Sequence, residues 1–245
     1  LMGVYFSHAD GVLIGSDAKR VAVMPCRPED TVSDVGPVYS NAIFYKDAAM
    51  VVDMLRHATG EYVNVACDES AMTFGCGDAV LQCRTQAGRY PDKAILGLFP
   101  KVFKTTVTWR VADLLSGVRL AEVNADDASG RINLSVDADM NSVLSAVDAG
   151  KGRTGSVKVR TAGGSGEAVR VDFDARYARL FLDTLDADEV VTGQFNGPDR
   201  PFIFGHPSGG KYAVGPMAQT KPTPAPEPMP PKKKLGEVPA WEAAG

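Results

Sequence analysis

Apolar and polar positions alternate in short runs along most of the chain, interrupted by three stretches with helical spacing. Residues 4–6 and 12–14 read as a hairpin around Ala9-Asp10-Gly11, followed by a turn at 16–19 and a strand at Val21–Met24. Pro25, Pro28, Pro37 and three acids make the next stretch, to Pro37, a loop, and Asn41–Tyr45 reads as extended. A helix is expected from Asp47, its N-cap, to about Ala58, ended by Gly60, with Ala48, Val51, Val52 and Leu55 as its apolar stripe. Strands Tyr62–Cys67, Ala71–Cys76 and Ala79–Arg84 follow, and Lys93–Lys104 reads as a crossing segment.

The pattern then starts again with a strand at Thr105–Trp109 and a helix from Arg110 to Asn124. Strands are expected at Arg131–Val136, Val143–Val147, Val157–Arg160 and Val169–Phe173, with glycine-rich breaks at 150–155 and 163–166. A helix over Ala175–Leu185 and strands at Val190–Phe195, Pro201–Phe204 and Lys211–Val214 close the unit. Ala48-Val51-Val52-Asp53-Leu55 matches Ala178-Phe181-Leu182-Asp183-Leu185, and Thr73-Phe74-Gly75-Cys76 matches Ile203-Phe204-Gly205-His206, both at a shift of 130. Two matches at one offset point to a duplicated α+β unit, divided here as 1–104 and 105–218. From Gln219 the Pro- and Lys-rich residues 219–245 read as an extended, disordered tail.

Composition narrows the chemistry. The chain has 245 residues, 44% hydrophobic and 23% charged, and a net charge of −4. That is ample for two cored units and argues against a surface basic all over, though not against positive charge confined to one face. No apolar run approaches the ~20 residues that span a bilayer, so no membrane partner is expected. The four cysteines lack any close pair and the three histidines are scattered, so no metal and no cofactor are expected; Cys67, Cys76 and Cys83, each in a strand-like run, read as buried free thiols, which suits a reducing cytoplasm. No nucleophile elbow, His-Glu-x-x-His or P-loop occurs, which sets a hydrolase using Cys or His well behind a non-catalytic role.

One stretch remains, Ser16-Asp17-Ala18-Lys19-Arg20-Val21-Ala22-Val23, a charged turn running into an apolar strand. By itself it reads as a surface turn entering a sheet. Together with Gly3-Val4-Tyr5-Phe6, Gly88-Arg89-Tyr90-Pro91-Asp92 and Lys211-Tyr212-Ala213-Val214-Gly215-Pro216-Met217, it resembles the bacterial DNA sliding clamps, the beta subunits of the replicative DNA polymerase III. The resemblance runs from Leu1 to about Met217 and covers that family's middle domain, without its opening strand and helix, and its C-terminal domain. It implies a ring of α+β DNA-clamp domains, helices facing the hole and antiparallel sheets outside, either as a fragment or as a shortened, phage-like clamp that closes its ring with more subunits.

The family resemblance further implies a homo-oligomeric, cytoplasmic processivity factor that encircles double-stranded DNA without reading its sequence. Short peptides of the polymerase, clamp loader and repair proteins would dock in an apolar groove. That groove would be lined by Leu1, Ser16, Ala18, Lys19, Arg20, Val21, Pro91, Ile95, Leu96, Ala213, Gly215, Pro216 and Met217. Ala18 and Lys19 stand where the family often has Gly and His, Ile95 replaces a common Arg, and Gly215 replaces a Met that acts as a gate. A more open pocket is therefore expected. For the same residues, plain packing between the two units is the competing reading. Lys46, Arg56, Arg110, Arg119, Arg176 and Arg179 are the expected DNA-facing charges, diluted by Asp53 and Asp183, against a reading of them as ordinary solvated helix faces. The polar run Glu122–Asp127 replaces an apolar pair that closes the ring in the family. A clamp-like scaffold that binds proteins without encircling DNA is the alternative.

Overall fold

The structure is a computed structural model and describes residues 3–7, 10–26, 41–88 and 90–218. The expected tail, the loop over 27–37, and Leu1 and Arg89 lie outside the described residues. In the first half, β1 (Gly3–Ser7), β2 (Val12–Ser16), β3 (Arg20–Pro25) and β4 (Asn41–Phe44) precede α1 (Tyr45–His57), β5 (Asn64–Cys67), β6 (Ala71–Cys76) and β7 (Ala79–Arg84). A short helix α2 (Asp92–Leu96) then opens the crossing segment. The second half contains β8 (Thr105–Arg110), α3 (Val111–Glu122), β9 (Arg131–Val136), β10 (Ser142–Asp148), β11 (Arg153–Val159) and β12 (Thr161–Gly166). It continues with β13 (Val169–Asp174), α4 (Ala175–Leu182), β14 (Val190–Phe195), β15 (Phe202–Gly205) and β16 (Lys211–Val214).

The internal repeat extends to topology. Strands pair in the order β3-β2-β1-β4 in the first half and β11-β10-β9-β13 in the second. The series α1-β5-β6-β7 is likewise repeated by α4-β14-β15-β16. Every pairing among the named strands is antiparallel. The second half also contains β8 and β12, which extend the sheet beyond β14, and α3, which packs beside α4. The halves are sewn together by β16 pairing with β3, so one nine-stranded sheet, β12-β8-β14-β15-β16-β3-β2-β1-β4, runs through both.

Alternation explains the cores. Val107 and Trp109 of β8, Ile132 and Leu134 of β9, and Leu144 of β10 are sealed beneath the apolar stripe Val111, Leu114, Val118 and Ala121 of α3. A line of rings joins this core from end to end: Trp109 on Phe195, Phe195 on Phe202, Phe202 on Phe204, Phe204 on Phe181, and Phe181 on Tyr212. A second cluster straddles the junction and holds Tyr5, Ile14, Val21, Ala42, Tyr90, Ile95, Ile203 and Ala213. A smaller third cluster, Ile43, Val51, Met72 and Cys83, lies under α1.

Several boundaries differ from expectation. Helix α1 begins at Tyr45, with Phe44 extended at its N-cap and no side-chain cap, so Asp47 falls in the first turn, where a carboxylate suits the helix dipole. The helix is capped at Ala58, not ended by Gly60. Gly60 has a different job: a Cβ there would lie 2.5 Å from Gly77 N, at the β6–β7 turn. The glycine run 163–166 is not a break but strand β12, with a bulge between Thr161 and Gly163. A Cβ at Gly164 would meet Thr106 O at 2.8 Å, so the missing side chains let this edge strand close onto β8. Helix α3 spans 111–122 and α4 spans 175–182, each shorter than its apolar pattern. Cys76 and Cys83 are buried, Cys26 and Cys67 half-buried, and all four are free thiols.

Gly193 on β14 lies against the Trp109 ring, where an added Cβ would come within 2.4 Å of the indole. Gly193→Ala is expected to destabilise the protein by about 1–3 kcal/mol through overpacking, read as a lowered midpoint in thermal unfolding. Gly205→Ala, whose Cβ would have ordinary contacts with Thr192, is the control expected to stay near wild type.

Candidate functional site

The charged turn is built by one carboxylate. Asp17 Oδ1 accepts from the N–H groups of Lys19 (3.1 Å) and Arg20 (3.0 Å), and Oδ2 accepts from Arg20 Nε at 2.8 Å. Ser16 Oγ accepts from Ala18 N at 3.3 Å. This wrapping forces Ala18 to φ 70°, a left-handed conformation that costs a residue with a Cβ about 1 kcal/mol. Burial on its own would raise the Asp17 carboxyl, but the hydrogen bonds from Arg20 and the two backbone amides outweigh it and hold the group below its ordinary value.

Arg20 then reaches across the junction. Its Nη1 lies 3.5 Å from Tyr212 Oη, and its guanidinium stacks 4.9 Å from the centre of the Tyr177 ring. Tyr212 Oη donates to Tyr177 O at 3.1 Å. Burial raises the Tyr212 phenol, so it stays protonated and able to donate. Beside them the ladder pairs Ala213 with Val21 and Val214 with Arg20, and Gly215 N donates to Lys19 O at 2.9 Å. At Gly215 a Cβ would sit 3.0 Å from Lys19 O, so the bare backbone there permits the close approach of the turn.

Of the expected groove residues, Val21 is joined by this ladder to Ala213 and Lys19 to Gly215, with Arg20 opposite Val214, while Ser16 and Ala18 belong to the turn that precedes them. Ile95 shares a buried cluster with Val21 and Ala213, and Leu96 packs on its edge. Pro91 accepts from Ile95 N and starts α2. Met217 is held by its own N–H, which donates to Asp172 O on β13 at 2.7 Å. Val21, Ile95 and Ala213 are thus buried against one another, while Leu96, Pro91, Gly215, Pro216 and Met217 are half-exposed. Leu1 lies outside the described residues. Two shallow cavities, of 280 and 440 Å³, lie elsewhere, around Gly205–Lys211 and around Lys104, Glu167 and Pro198. Tyr177 was not singled out by sequence reasoning, nor was the stack of Tyr5 on Tyr90 at 4.5 Å. Nothing in local sequence pairs these partners, since each contact joins segments far apart in the chain.

The expected DNA-facing charges separate into two groups. Arg119 pairs with Asp183 (2.8 Å) and Arg179 with Glu122 (3.0 Å) and Asp183 (3.7 Å), so α3 and α4 are laced by an alternating network. Arg176 pairs with Asp174 at 2.6 Å, and Arg110 pairs with Asp188. Lys46 and Arg56 on α1 are exposed and make no ion pair among the described residues.

No family model matches the chain. It is 30% identical over 137 residues to the beta sliding clamp of Synechococcus elongatus, a stretch covering 56% of this chain and 36% of that protein. The structure superposes on the DNA polymerase sliding clamp of Bacillus subtilis with a TM-score of 0.76 at 18% identity, covering 89% of this chain and 57% of that one. It matches the DNA polymerase III beta subunit of Thermotoga maritima equally well, with a TM-score of 0.76 at 18% identity over 90% and 58% of the two chains. The fold is that of the bacterial sliding clamps. The chain spans just over half the length of these solved clamps, and the shared part is the sheet-and-helix framework described above. No helix of the described residues is long and apolar enough to cross a membrane.

Two outcomes are expected at the turn. Ala18→Gly relieves the left-handed strain and should stabilise the protein by about 1 kcal/mol, seen as a higher melting midpoint. Because the Asp17 pKa is lowered on folding, its contribution is in place above the ordinary carboxylate range and is lost as pH falls through the depressed value. Asp17→Asn should therefore be less stable than wild type at neutral pH, with the gap closing in acid when melts are compared across pH.

Proposed function

We propose that the chain acts as a DNA sliding clamp: a non-catalytic processivity factor that helps form a ring around duplex DNA and tethers a polymerase. In this reading 1–104 and 105–218 are two clamp domains, the site is cytoplasmic, and copies of the chain associate into the ring. The single observation that carries it is the sheet running unbroken across two repeats of one α/β unit, superposable on solved clamps. Encirclement makes release a matter of ring opening, so tethering works through effective concentration and not through tight contact.

Partner peptides are proposed to enter along the half-exposed rim at Pro91, Leu96, Gly215, Pro216 and Met217, beside the turn Ser16–Arg20. The buried trio Val21, Ile95 and Ala213 forms the floor. An apolar rim over a packed floor suits a peptide that buries one or two large side chains. A labelled peptide led by Gln and ended by Leu-Phe should bind in the micromolar range and lose binding in Met217→Asp. Unchanged binding in that variant would remove Met217 from the groove.

The ion pairing on α3 and α4 supports a second reading, a scaffold that binds proteins but never encircles DNA, because these arginines are already matched by carboxylates. The two readings differ in salt dependence. If α1 supplies the phosphate contacts, Lys46 and Arg56 give two charges per copy and contribute about −2 per copy to the slope of log affinity against log salt. Glu at both positions should flatten this slope on nicked circular DNA, whereas Arg119→Gln with Arg179→Gln should leave it largely intact. Failure of the unaltered chain to be retained on such DNA, with peptide binding preserved, selects the scaffold.

A further inference from the structure

We propose that the free edge of β13 is a docking site for the chain's own residues 218–224, which add to it as an antiparallel strand and run toward the cavity at Pro198. The inference rests on backbone geometry and on the spacing of prolines, and it is independent of the proposed function.

Strand β13 is the last strand of its four-stranded sheet, with β9 on one side and no strand on the other among the described residues. Two hydrogen bonds give the phase of that edge. Ala175 N donates to Gly130 O, in register with the ladder that pairs Asp174 with Arg131. Backbone groups alternate in direction along a strand, so Val169, Val171 and Phe173 turn theirs toward β9, and Arg170 and Asp172 turn theirs outward. The second bond agrees with this phase: Met217 N donates to Asp172 O at 2.7 Å. The chain therefore lays the first rung of a ladder on this edge as it leaves the second half.

One direction alone prolongs the contact. Past Asp174 the backbone turns into α4, so a parallel course meets no further edge. An antiparallel course, with Met217 opposite Asp172, sets Gln219 opposite Arg170 and Lys221 opposite Ala168. Both Gln219 and Lys221 have a backbone N–H to donate. Pro222, Pro224, Pro226, Pro228 and Pro230 all fall in the other phase. A proline is accepted in a strand where its missing N–H faces away from the ladder, and these positions meet that condition. The same prolines leave the outer side of the added strand poor in donors, which discourages a further strand from joining. The path ends at the 440 Å³ cavity, whose lining includes Glu167, Ala168, Val169, Arg170, Gly197 and Pro198. Pro222 and Pro224 are already restricted to extended backbone, so little entropy is lost in fixing them there. Lys221 comes beside the exposed carboxylate of Glu167.

Hydrogen exchange at the Arg170 amide tests this in the 245-residue chain and in a chain stopped after Met217. Arg170 should exchange about tenfold or more slowly in the longer chain, at any protein concentration. Gln219→Pro places a ring at a ladder position and should remove that protection. Thr220→Pro, one residue further and in the outward phase, should keep it. All four proteins should share one melting midpoint, because β9 and the core hold β13 without the added strand. Equal exchange in the longer and shorter chains would overturn the proposal, and so would equal loss in the two proline variants. Protection in the shorter chain that grows with its own concentration would also overturn it, by assigning the edge to a second copy.

Discussion

Everything at the candidate site depends on one backbone ladder. Strand β16 ends the second half and pairs with β3 of the first, from Lys211 with Val23 to Val214 with Arg20. A sheet ladder fixes both separation and register, and a slip of one residue would turn every side chain to the other face. Register at this seam is therefore what sets Ala213 beside Val21 in the junction cluster and Tyr212 within reach of Arg20. The turn is then locked at one end by the ladder and at the other by Asp17. A surface turn with this much fixing is preorganised for a ligand, since little further entropy is lost when a partner binds.

The charges on α3 and α4 are paired more than displayed. A net charge of −4 hides a local balance in which α3 and α4 hold arginines and carboxylates in alternation. Exposed pairs of this kind contribute little stability each, so their main effect is on the field: the face they cover presents little net positive potential. On α1, by contrast, Lys46 and Arg56 are exposed and make no ion pair among the described residues.

Much of this was legible in the sequence, and the reasons differ by element. The shift of 130 between the halves could be read because α1 and α4 meet the same sheet with the same stripe, Ala48, Val51 and Leu55 answering Ala178, Phe181 and Leu185. The strands of β6, β7, β9, β14 and β16 were legible because alternation and tight turns bound them. Strand β12 was not, since Gly163, Gly164 and Gly166 carry no propensity for a strand and owe their conformation to β8. Nor was the start of α1, which has no capping side chain and takes its N-terminus from the end of β4. At the site, the turn motif was visible, but the burial of Ile95 and the partners of Arg20 were not, because both arise from contacts across the seam.

Unequal coverage of the halves also implies unequal stability. The second half owns the large core, the continuous line of aromatic rings, and β8 and α3, and should open last. The first half has a small cluster under α1 and a bare β5 edge, so its own burial offsets less of the entropy of ordering it. Strand β3 is consequently held from one side by the stable half, through β16, and from the other by β2. The turn at Ser16–Arg20 sits between β2 and β3, inside the part of the first half that the second half templates most directly. Order at the candidate groove can then persist while α1 and β5 fluctuate, which separates the candidate groove from the helix face that carries Lys46 and Arg56.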